Sequence, residues 1–433
     1  MSKKTLIALL CCASLGLTAC NDDNDQDQTS PTENVTEPTL ISFAKLPVET
    51  YAAGPDSGAY VKGANGIYPP FKGQPVQGFS AALKNEDGSY MAMADNGFGT
   101  QDNSSDFLLR IYKIKPDFKT KTKTKTKTKT KTKTKTKGTG QVTVQGFIQL
   151  RDPNKLIPFN IVNGNTSERL LTGADFDPES MQRASDGTYW IGDEFGPYLL
   201  HFSADGVLLD APIPLPNPLN PTQELRSPQN QFNKAQINFV EPLVQQSGGF
   251  EGMAISPDGQ YLYPLIEKPI KSIRETERQL LISQFDIKKK AYTGKYYWFQ
   301  LDSKATNIGD FQLFNNNEGI IIERDATQNN LGGYKKLIRI KLNESGQLVS
   351  REDLVDLIKI ANPNMLYGTA RAGDIGTGQV FAFPFETIED VIIENGTTLT
   401  VFNDNNFPGS TGRNAKLADD NEIIQIRLPK ALF

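Results

Sequence analysis

The sequence predicts an all-β protein folded as a β-propeller with long inter-strand loops. Six blades are expected, and seven blades are the alternative. Five segments repeat one plan, in which two short apolar runs flank a glycine-containing turn and polar or acidic residues stand at both ends. Their turns, EDG, SDG, PDG, NNNEG and ENG, are typical of β-hairpins. The chain after residue 40 is long enough for six or seven blades of roughly 50 to 60 residues each.

The repeated segments predict where acidic residues meet. They are Gly78–Gly99, Asp177–Pro197, Gly249–Pro269, Gly309–Ala326 and Ile388–Pro408. An antiparallel hairpin brings the start of its first strand beside the end of its second strand. The expected neighbours are Glu179 with Asp193, Glu251 with Glu267, and Glu389 with Asp404. Blades arranged around one axis would bring these pairs together at one end of the propeller.

The remaining elements complete the predicted ring. Residues around Gln141–Leu171 are expected to contribute to a sixth blade that lacks the repeated plan. The β-rich segment Asn421–Pro429 is expected to close the ring with residues near the start of the domain. A helix is expected over Ser350–Ile360, because Ser350 can cap it and Asp353 stands at the third helical position.

The first 40 residues predict export and a lipid anchor. Lys3 and Lys4 precede an apolar stretch that is too short to span a bilayer. The "LTAC" that ends at Cys20 resembles a bacterial lipobox, which implies a signal peptide over 1–19 and lipidation of Cys20. An ordinary signal peptide is the alternative. Residues 20–40 are expected to be the lipidated cysteine and a disordered tether, and 41–433 the propeller domain.

The predicted location follows from the same segment. By resemblance to lipoprotein sorting signals, Asn21 after the cysteine implies the outer membrane of the cell envelope, facing the periplasm. The lipid anchor is then the only expected contact with the membrane.

The charge is unevenly distributed. A strict lysine–threonine repeat over 119–137 carries ten lysines, so the formal net charge falls from −4 to −14 without it. We expect this low-complexity repeat to be a solvated, extended hairpin loop, because ten like charges on one strand face would repel. Contact of this polycation with anionic lipid is the alternative. The acidic body argues against nucleic acid as a partner and favours a cation.

The residue types limit the chemistry. The three cysteines all lie within the first 20 residues, and His201 is the one histidine. A zinc site of histidine and cysteine ligands and a Cys–His pair are therefore excluded from the predicted propeller domain. A Ser–His–Asp triad would need His201, and no G-x-S-x-G motif is present. We expect His201 to be a structural strand residue.

Oxygen ligands are abundant instead, and they suit calcium, which accepts six to eight oxygens in flexible geometry. The candidate ligands are Glu179, Asp193, Glu194, Glu251, Glu323, Glu389, Asn403, Asp404 and Asp95. The candidate catalytic residues are Glu251 and Glu179, as carboxylates able to take a proton, and Arg324, which could hold an anionic substrate group. Propellers also bind calcium for structure alone, and this interpretation stays open.

Several motifs together resemble a known family. "DNGFG", "DPES", "GDEFGP", "GFEGMAISPDG", "ERD" and "NDNNFP" are similar to those of the esterase-like or phytase-like domain family of bacterial secreted proteins. The resemblance covers about Gly78–Pro429 and implies a β-propeller with hydrolase activity on ester or phosphoester bonds. Ser180 departs from the family pattern, which usually has glycine after this glutamate.

These observations predict a calcium-dependent hydrolase of phosphate esters or small esters, with a small-molecule substrate. Two alternatives remain. One is a non-catalytic envelope propeller that binds a ligand or partner and holds a structural calcium ion. The other is a lactonase, which would act on an uncharged cyclic ester.

Overall fold

β-Strands dominate the computed structural model, which describes residues 35–125 and 132–433. The one helix in these ranges is the single turn α1 (Gln231–Lys234). The strands in chain order are β1 (Thr39–Leu46), β2 (Tyr51–Ala52), β3 (Gln74–Pro75), β4 (Phe79–Lys84), β5 (Tyr90–Ala94), β6 (Arg110–Asp117), β7 (Thr120–Lys125), β8 (Thr132–Lys137), β9 (Gln141–Gln149), β10 (Pro178–Arg183), β11 (Tyr189–Asp193), β12 (Tyr198–Phe202), β13 (Ile213–Pro214), β14 (Pro216–Asn217), β15 (Asn220–Glu224), β16 (Phe250–Ile255), β17 (Tyr261–Ile266), β18 (Gln279–Asp286), β19 (Ala291–Gln300), β20 (Asn307–Leu313), β21 (Glu318–Arg324), β22 (Lys335–Lys341), β23 (Ser350–Asp356), β24 (Ile360–Ala361), β25 (Val380–Phe381), β26 (Ile388–Asn395), β27 (Thr398–Asn403) and β28 (Asn421–Arg427). The all-β prediction is confirmed.

Four-stranded antiparallel sheets form the blades of a propeller. The orders are β4-β5-β6-β9, β10-β11-β12-β13, β16-β17-β18-β19, β20-β21-β22-β23 and β26-β27-β28-β1. A single parallel bridge between Lys45 of β1 and Gln141 of β9 joins the first and the last of these into one larger sheet. The first two strands of every blade come from one of the five repeated segments. The innermost strands β4, β10, β16, β20 and β26 each pack against the next, and β26 packs against β4, so they enclose one axis. The propeller prediction is confirmed.

The last blade is closed by the start of the domain, as expected. Strand β28 pairs antiparallel with β1, from Thr39 opposite Arg427 to Leu46 opposite Asn421. This pairing joins the two ends of the described chain within one sheet.

The number of blades is five in the described residues, so the preference for six was wrong. The segment that was expected to supply a sixth blade instead provides β9, the outer strand of the first blade, which pairs with β6. The extra length lies in long connections, such as residues 150–177 and 225–249, which form no blade of their own.

The helix expected at Ser350–Ile360 was also wrong. Ser350–Asp356 is strand β23, which pairs with β22 through partners such as Ile340 opposite Arg351. The local capping signal was overridden by pairing with a neighbouring strand, because propensity is weak against tertiary context.

The lysine–threonine repeat forms paired strands where the structure describes it, rather than an unpaired loop. Strands β7 and β8 run antiparallel, with Thr120 opposite Lys137 and Lys121 opposite Thr136. This register places each lysine opposite a threonine instead of another lysine, which reduces the repulsion that argued against a strand. At its base, the backbone of Lys119 exchanges hydrogen bonds with Phe43 of β1.

The predicted signal peptide, Cys20 and most of the tether lie outside the described residues. Within the described ranges, no helix is long and apolar enough to cross a membrane. The first blade strand begins at Thr39, two residues before the predicted domain boundary.

Candidate active site and metal centre

In four of the five blades, a β-bulge at the start of the innermost strand directs one residue away from regular pairing, and in β20 the pairing skips two residues, Gly309 and Asp310. The pairing skips Ser80 in β4, Glu179 in β10, Glu251 in β16 and Glu389 in β26. Bulges change the direction of a side chain, and they are over-represented beside active sites. The second strand of each blade ends at this same end of the axis, so its last residues join the bulged ones.

The first group of acids consists of Asp177, Glu179 and Glu194. Each offers a carboxylate oxygen, and these oxygens lie within 4.8 Å of one another. Asp177 is held by Asn96, whose backbone N–H and Nδ2 donate to its two oxygens at 3.1 and 2.8 Å. Asp177 and Glu194 are buried, and Glu179 keeps some exposed surface as a whole residue, although its carboxylate is buried with the other two.

The second group shares Glu194 with the first. Oxygens of Glu194, Glu251 and Glu267 also lie within 4.8 Å of one another, and all three residues are buried. The expected meeting of Glu251 and Glu267 is therefore present. The two groups form one continuous acidic cluster across the second and third blades.

Arg324, from the end of β21, supplies the positive charge. Its Nη2 lies 3.0 Å from Glu389, 3.2 Å from Glu251 and 3.8 Å from Glu267. Ser80 donates to the other oxygen of Glu389 at 2.9 Å. The Nε of Arg324 is buried and has no hydrogen-bond partner among the residues that the structure describes. One guanidinium thus faces three carboxylates and retains an unused donor.

Asp95 and Asp404 extend the cluster across the first and fifth blades. Asp95 accepts from the backbone N–H of Gly97 at 2.7 Å, and Asp404 accepts from that of Asn406 at 2.7 Å. Burial, followed by the neighbouring charge of Asp95, raises the pKa of Asp404 well above its usual value. Burial and then Asp177 raise the pKa of Asp95 in the same way.

The central acids resist ionisation for the same reasons. Burial raises the pKa of Glu179, Glu194 and Glu251 well above the usual range, and neighbouring carboxylates raise it further. The pKa of Glu389 is raised to about 8 by burial and by Asp404, against the opposing effect of Arg324. Without a further cation, several of these groups hold protons near neutral pH.

The donor set fits calcium. All the groups are hard oxygen donors, and one guanidinium offsets only part of their charge. Glu194 belongs to both groups and would be central to binding. Because the raised pKa values mean that protons occupy these oxygens, metal binding should displace protons.

Three of the predicted ligands have other partners. Asp193 accepts hydrogen bonds from the backbone N–H groups of Asp177 and Gly196 at 2.9 and 2.6 Å, so it shapes the loop after β11. Glu323 pairs with Arg351 at 2.6 Å and accepts from Tyr334 at 2.7 Å. The side chain of Asn403 accepts from the backbone N–H of Glu422 at 2.6 Å.

Asp177, Glu267 and Ser80 were not among the predicted site residues, although Glu267 was expected beside Glu251. Asp177 opens the "DPES" motif, and Glu267 is the acid that ends its hairpin, so both carried a signal. Ser80 had none, because its role depends on the bulge in β4. His201, by contrast, stacks on Trp190 with centroids 4.2 Å apart and pairs with Asp210, outside the cluster.

Two glycines allow the cluster to close. A Cβ at Gly249 would lie 2.1 Å from the carbonyl oxygen of Glu194. A Cβ at Gly78 would lie 2.3 Å from Oδ1 of Asp95, and Gly78 has a φ of +59°. Side chains at these positions would push the acids out of place.

Comparison with known proteins identifies the family. The model of the Phytase-like family, described as "esterase-like activity of phytase", matches residues 74–407. The chain therefore belongs to this family, and the description is that of a hydrolase.

Other similarities are partial. An uncharacterized secreted protein of Arthroderma benhamiae is 33% identical over 140 residues, which are 28% of this chain and 26% of that protein. The periplasmic gluconolactonase of Pseudomonas aeruginosa is 11% identical, with a TM-score of 0.29 over 90% of this chain and 100% of its own. An arabinanase of Bacillus subtilis is 10% identical, with a TM-score of 0.34 over 81% and 93% of the two chains. At these scores the assignment of the fold rests on the strand topology instead.

Proposed function

We propose that this phytase-like protein is a calcium-dependent hydrolase of phosphate esters or small esters. The observation that carries the proposal is the acidic cluster, in which two groups of three carboxylates share Glu194 beside Arg324. Such a concentration of buried acids costs free energy unless cations or protons compensate it. A bound calcium ion would compensate it and would polarise a substrate oxygen and acidify water.

The residues of the cluster would have separate roles. Glu194, Glu251 and Glu267 are buried and would hold the ion. Glu179 is the least buried of these acids as a whole residue, so it is the candidate to take a proton. Arg324 would contact an anionic substrate group through its unused Nε donor.

A second candidate is a lactonase, and the partners of Arg324 favour it. Nη2 of Arg324 already lies within 3.2 Å of both Glu251 and Glu389. An uncharged cyclic ester would need no further positive charge, whereas a phosphate ester would have to compete with these carboxylates. A non-catalytic propeller with a structural calcium ion is the third candidate.

The test measures phosphate release from phytate, p-nitrophenyl acetate cleavage and lactone opening, each with calcium and with chelator. We expect calcium-dependent turnover of one substrate class, and loss of that turnover in Glu251→Gln. Glu394→Gln is the matched control, because the side chains of Glu394 and Glu251 are each 4% exposed and hydrogen-bonded, but Glu394 lies at the end of β26 away from the acidic cluster.

The outcomes separate the candidates. Phosphate release identifies a phosphatase, and lactone opening without phosphate release identifies a lactonase. Calcium that raises the melting temperature without any turnover would refute the hydrolase and leave the structural ion. Full activity in Glu251→Gln would refute the assignment of the site.

The location is part of the proposal. Lipidation of Cys20 would anchor the protein in the cell envelope, at the outer membrane facing the periplasm. Metabolic labelling with a clickable fatty acid, compared between the wild type and Cys20→Ser, tests this step.

A further inference from the structure

A cavity away from the acidic cluster lies between the third and fourth blades. Its volume is about 430 Å³, which is within the range of small-molecule sites. Its walls include Arg274, Gln279, Trp298, Asn343 and Glu344, and no member of the acidic cluster lines it.

The walls are built from three fixed segments. Trp298 is in the outer strand β19, and the turn between β22 and β23 pairs with this strand edge. The backbone N–H of Trp298 donates to Gln347 at 3.0 Å, and that of Val349 donates to Trp298 at 2.9 Å. The guanidinium of Arg274, from the loop before β18, lies 5.9 Å from the centre of the Trp298 ring. The cavity is therefore a formed part of the fold.

Gln279 lines this cavity and carries an unused acceptor. The residue is 6% exposed, and its Oε1 is buried without a hydrogen-bond partner in residues 35–125 and 132–433. Its Nε2 donates to Oε1 of Gln300 at 3.1 Å, while Nε2 of Gln300 donates to the Glu277 carbonyl at 2.6 Å. If the Gln279 amide were turned over, its Oε1 would face Oε1 of Gln300, and both atoms are acceptors. The orientation is thus fixed, and Oε1 needs an external donor.

The chemistry of the walls selects the ligand. An anion would be repelled by the Gln279 acceptor and by Glu344, whose charge offsets that of Arg274. An apolar ligand would leave the Gln279 acceptor without a partner. A hydroxyl group both donates and accepts, so it satisfies Gln279 and a donor of Arg274 together. The Nδ2 of Asn343, by contrast, already donates to the Leu348 carbonyl and to Ser350. We propose that this cavity binds a short, neutral saccharide, independently of the acidic cluster.

Calorimetric titration with four disaccharides, maltose, cellobiose, lactose and diacetylchitobiose, tests the proposal on the purified protein. We expect saturable binding of at least one sugar, equal with calcium and with chelator. Gln279→Met keeps the shape but removes the acceptor, and it should weaken binding at least about tenfold. Arg274→Ala, at an exposed position, should also weaken it.

Gln284→Met is the matched control, because Gln284 is on the same strand, is also 6% exposed and does not line the cavity. It should bind the sugar as the wild type does. The proposal is overturned if none of the four sugars binds at millimolar concentration. It is also overturned if Gln279→Met and Arg274→Ala both retain wild-type affinity.

Discussion

Replacing Arg324 by methionine should expose the electrostatic cost of the acidic cluster. Arg324 is 5% exposed, and its Nη2 lies 3.0, 3.2 and 3.8 Å from carboxylates of Glu389, Glu251 and Glu267. Removing one partner of such a buried pair costs about 3 to 5 kcal/mol, because uncompensated charges remain. We therefore expect Arg324→Met to lose this amount of unfolding free energy at pH 8 in chelator, measured by urea denaturation.

Calcium and acid should each restore part of that loss. Loss of the guanidinium frees Glu251 and Glu389 for calcium, so the variant should bind the ion more tightly than the wild type, and tenfold tighter binding would return about 1.4 kcal/mol of the difference. The pKa of Glu389 is raised to about 8, so the penalty for its charge is absent in acid and grows as pH rises toward 8. The defect of the variant should accordingly be smaller at pH 5 than at pH 8.

Arg351→Met provides the matched control. Arg351 pairs with Glu323 at 2.6 Å, outside the cluster, and its side chain is 23% exposed. Its defect should be smaller, and calcium should not reduce it. If Arg324→Met is as stable as the wild type, or if neither calcium nor acid reduces its loss, the electrostatic reasoning is refuted.

Three further predictions concern the scaffold. Burial raises the pKa of Asp310 from 3.8 to about 7, so ionisation of this carboxyl removes about 4 kcal/mol of unfolding free energy as pH rises through that interval. In denaturation curves, Asp310→Asn should therefore become more stable relative to the wild type between pH 5 and pH 8. A difference in unfolding free energy that does not change with pH would contradict this. Gly249→Ala should cost about 1 to 3 kcal/mol and weaken calcium binding, because its Cβ would meet Glu194; unchanged values would contradict the packing. Replacing residues 120–137 by a short turn should leave the melting temperature unchanged, because β7 and β8 pair with each other; loss of the folded state would show that the repeat supports a blade.

The hairpin repeats could be predicted from sequence because their signal is local. Four of the five turns are Asx-Gly between alternating apolar residues, which specifies a hairpin, and the fifth turn is rich in asparagine and ends in Glu-Gly. All five segments form the inner half of a blade. The predicted number of blades was wrong because it was inferred from chain length. Long connections such as residues 225–249 take up part of that length without forming a blade. The helix at Ser350–Ile360 failed because pairing with β22 is not local information.

The site was predictable in composition but less so in detail. Hairpin geometry correctly placed Glu251 beside Glu267. It did not anticipate that Glu179 would meet Asp177 and Glu194, because a one-residue bulge changes which side chains face the axis. Glu323 looked like a ligand in "ERD", but strand alternation directs it to Arg351 while the next residue, Arg324, enters the cluster.

Calcium titration calorimetry of the wild type and Glu194→Gln, in two buffers of different ionisation enthalpy, tests the central claim most directly. Because Glu194 belongs to both groups of acids, the account predicts saturable binding by the wild type. It also predicts proton release near neutral pH and a large loss of affinity in the variant. An absence of calcium binding by the wild type, or equal binding by Glu194→Gln, would contradict a metal centre in the acidic cluster.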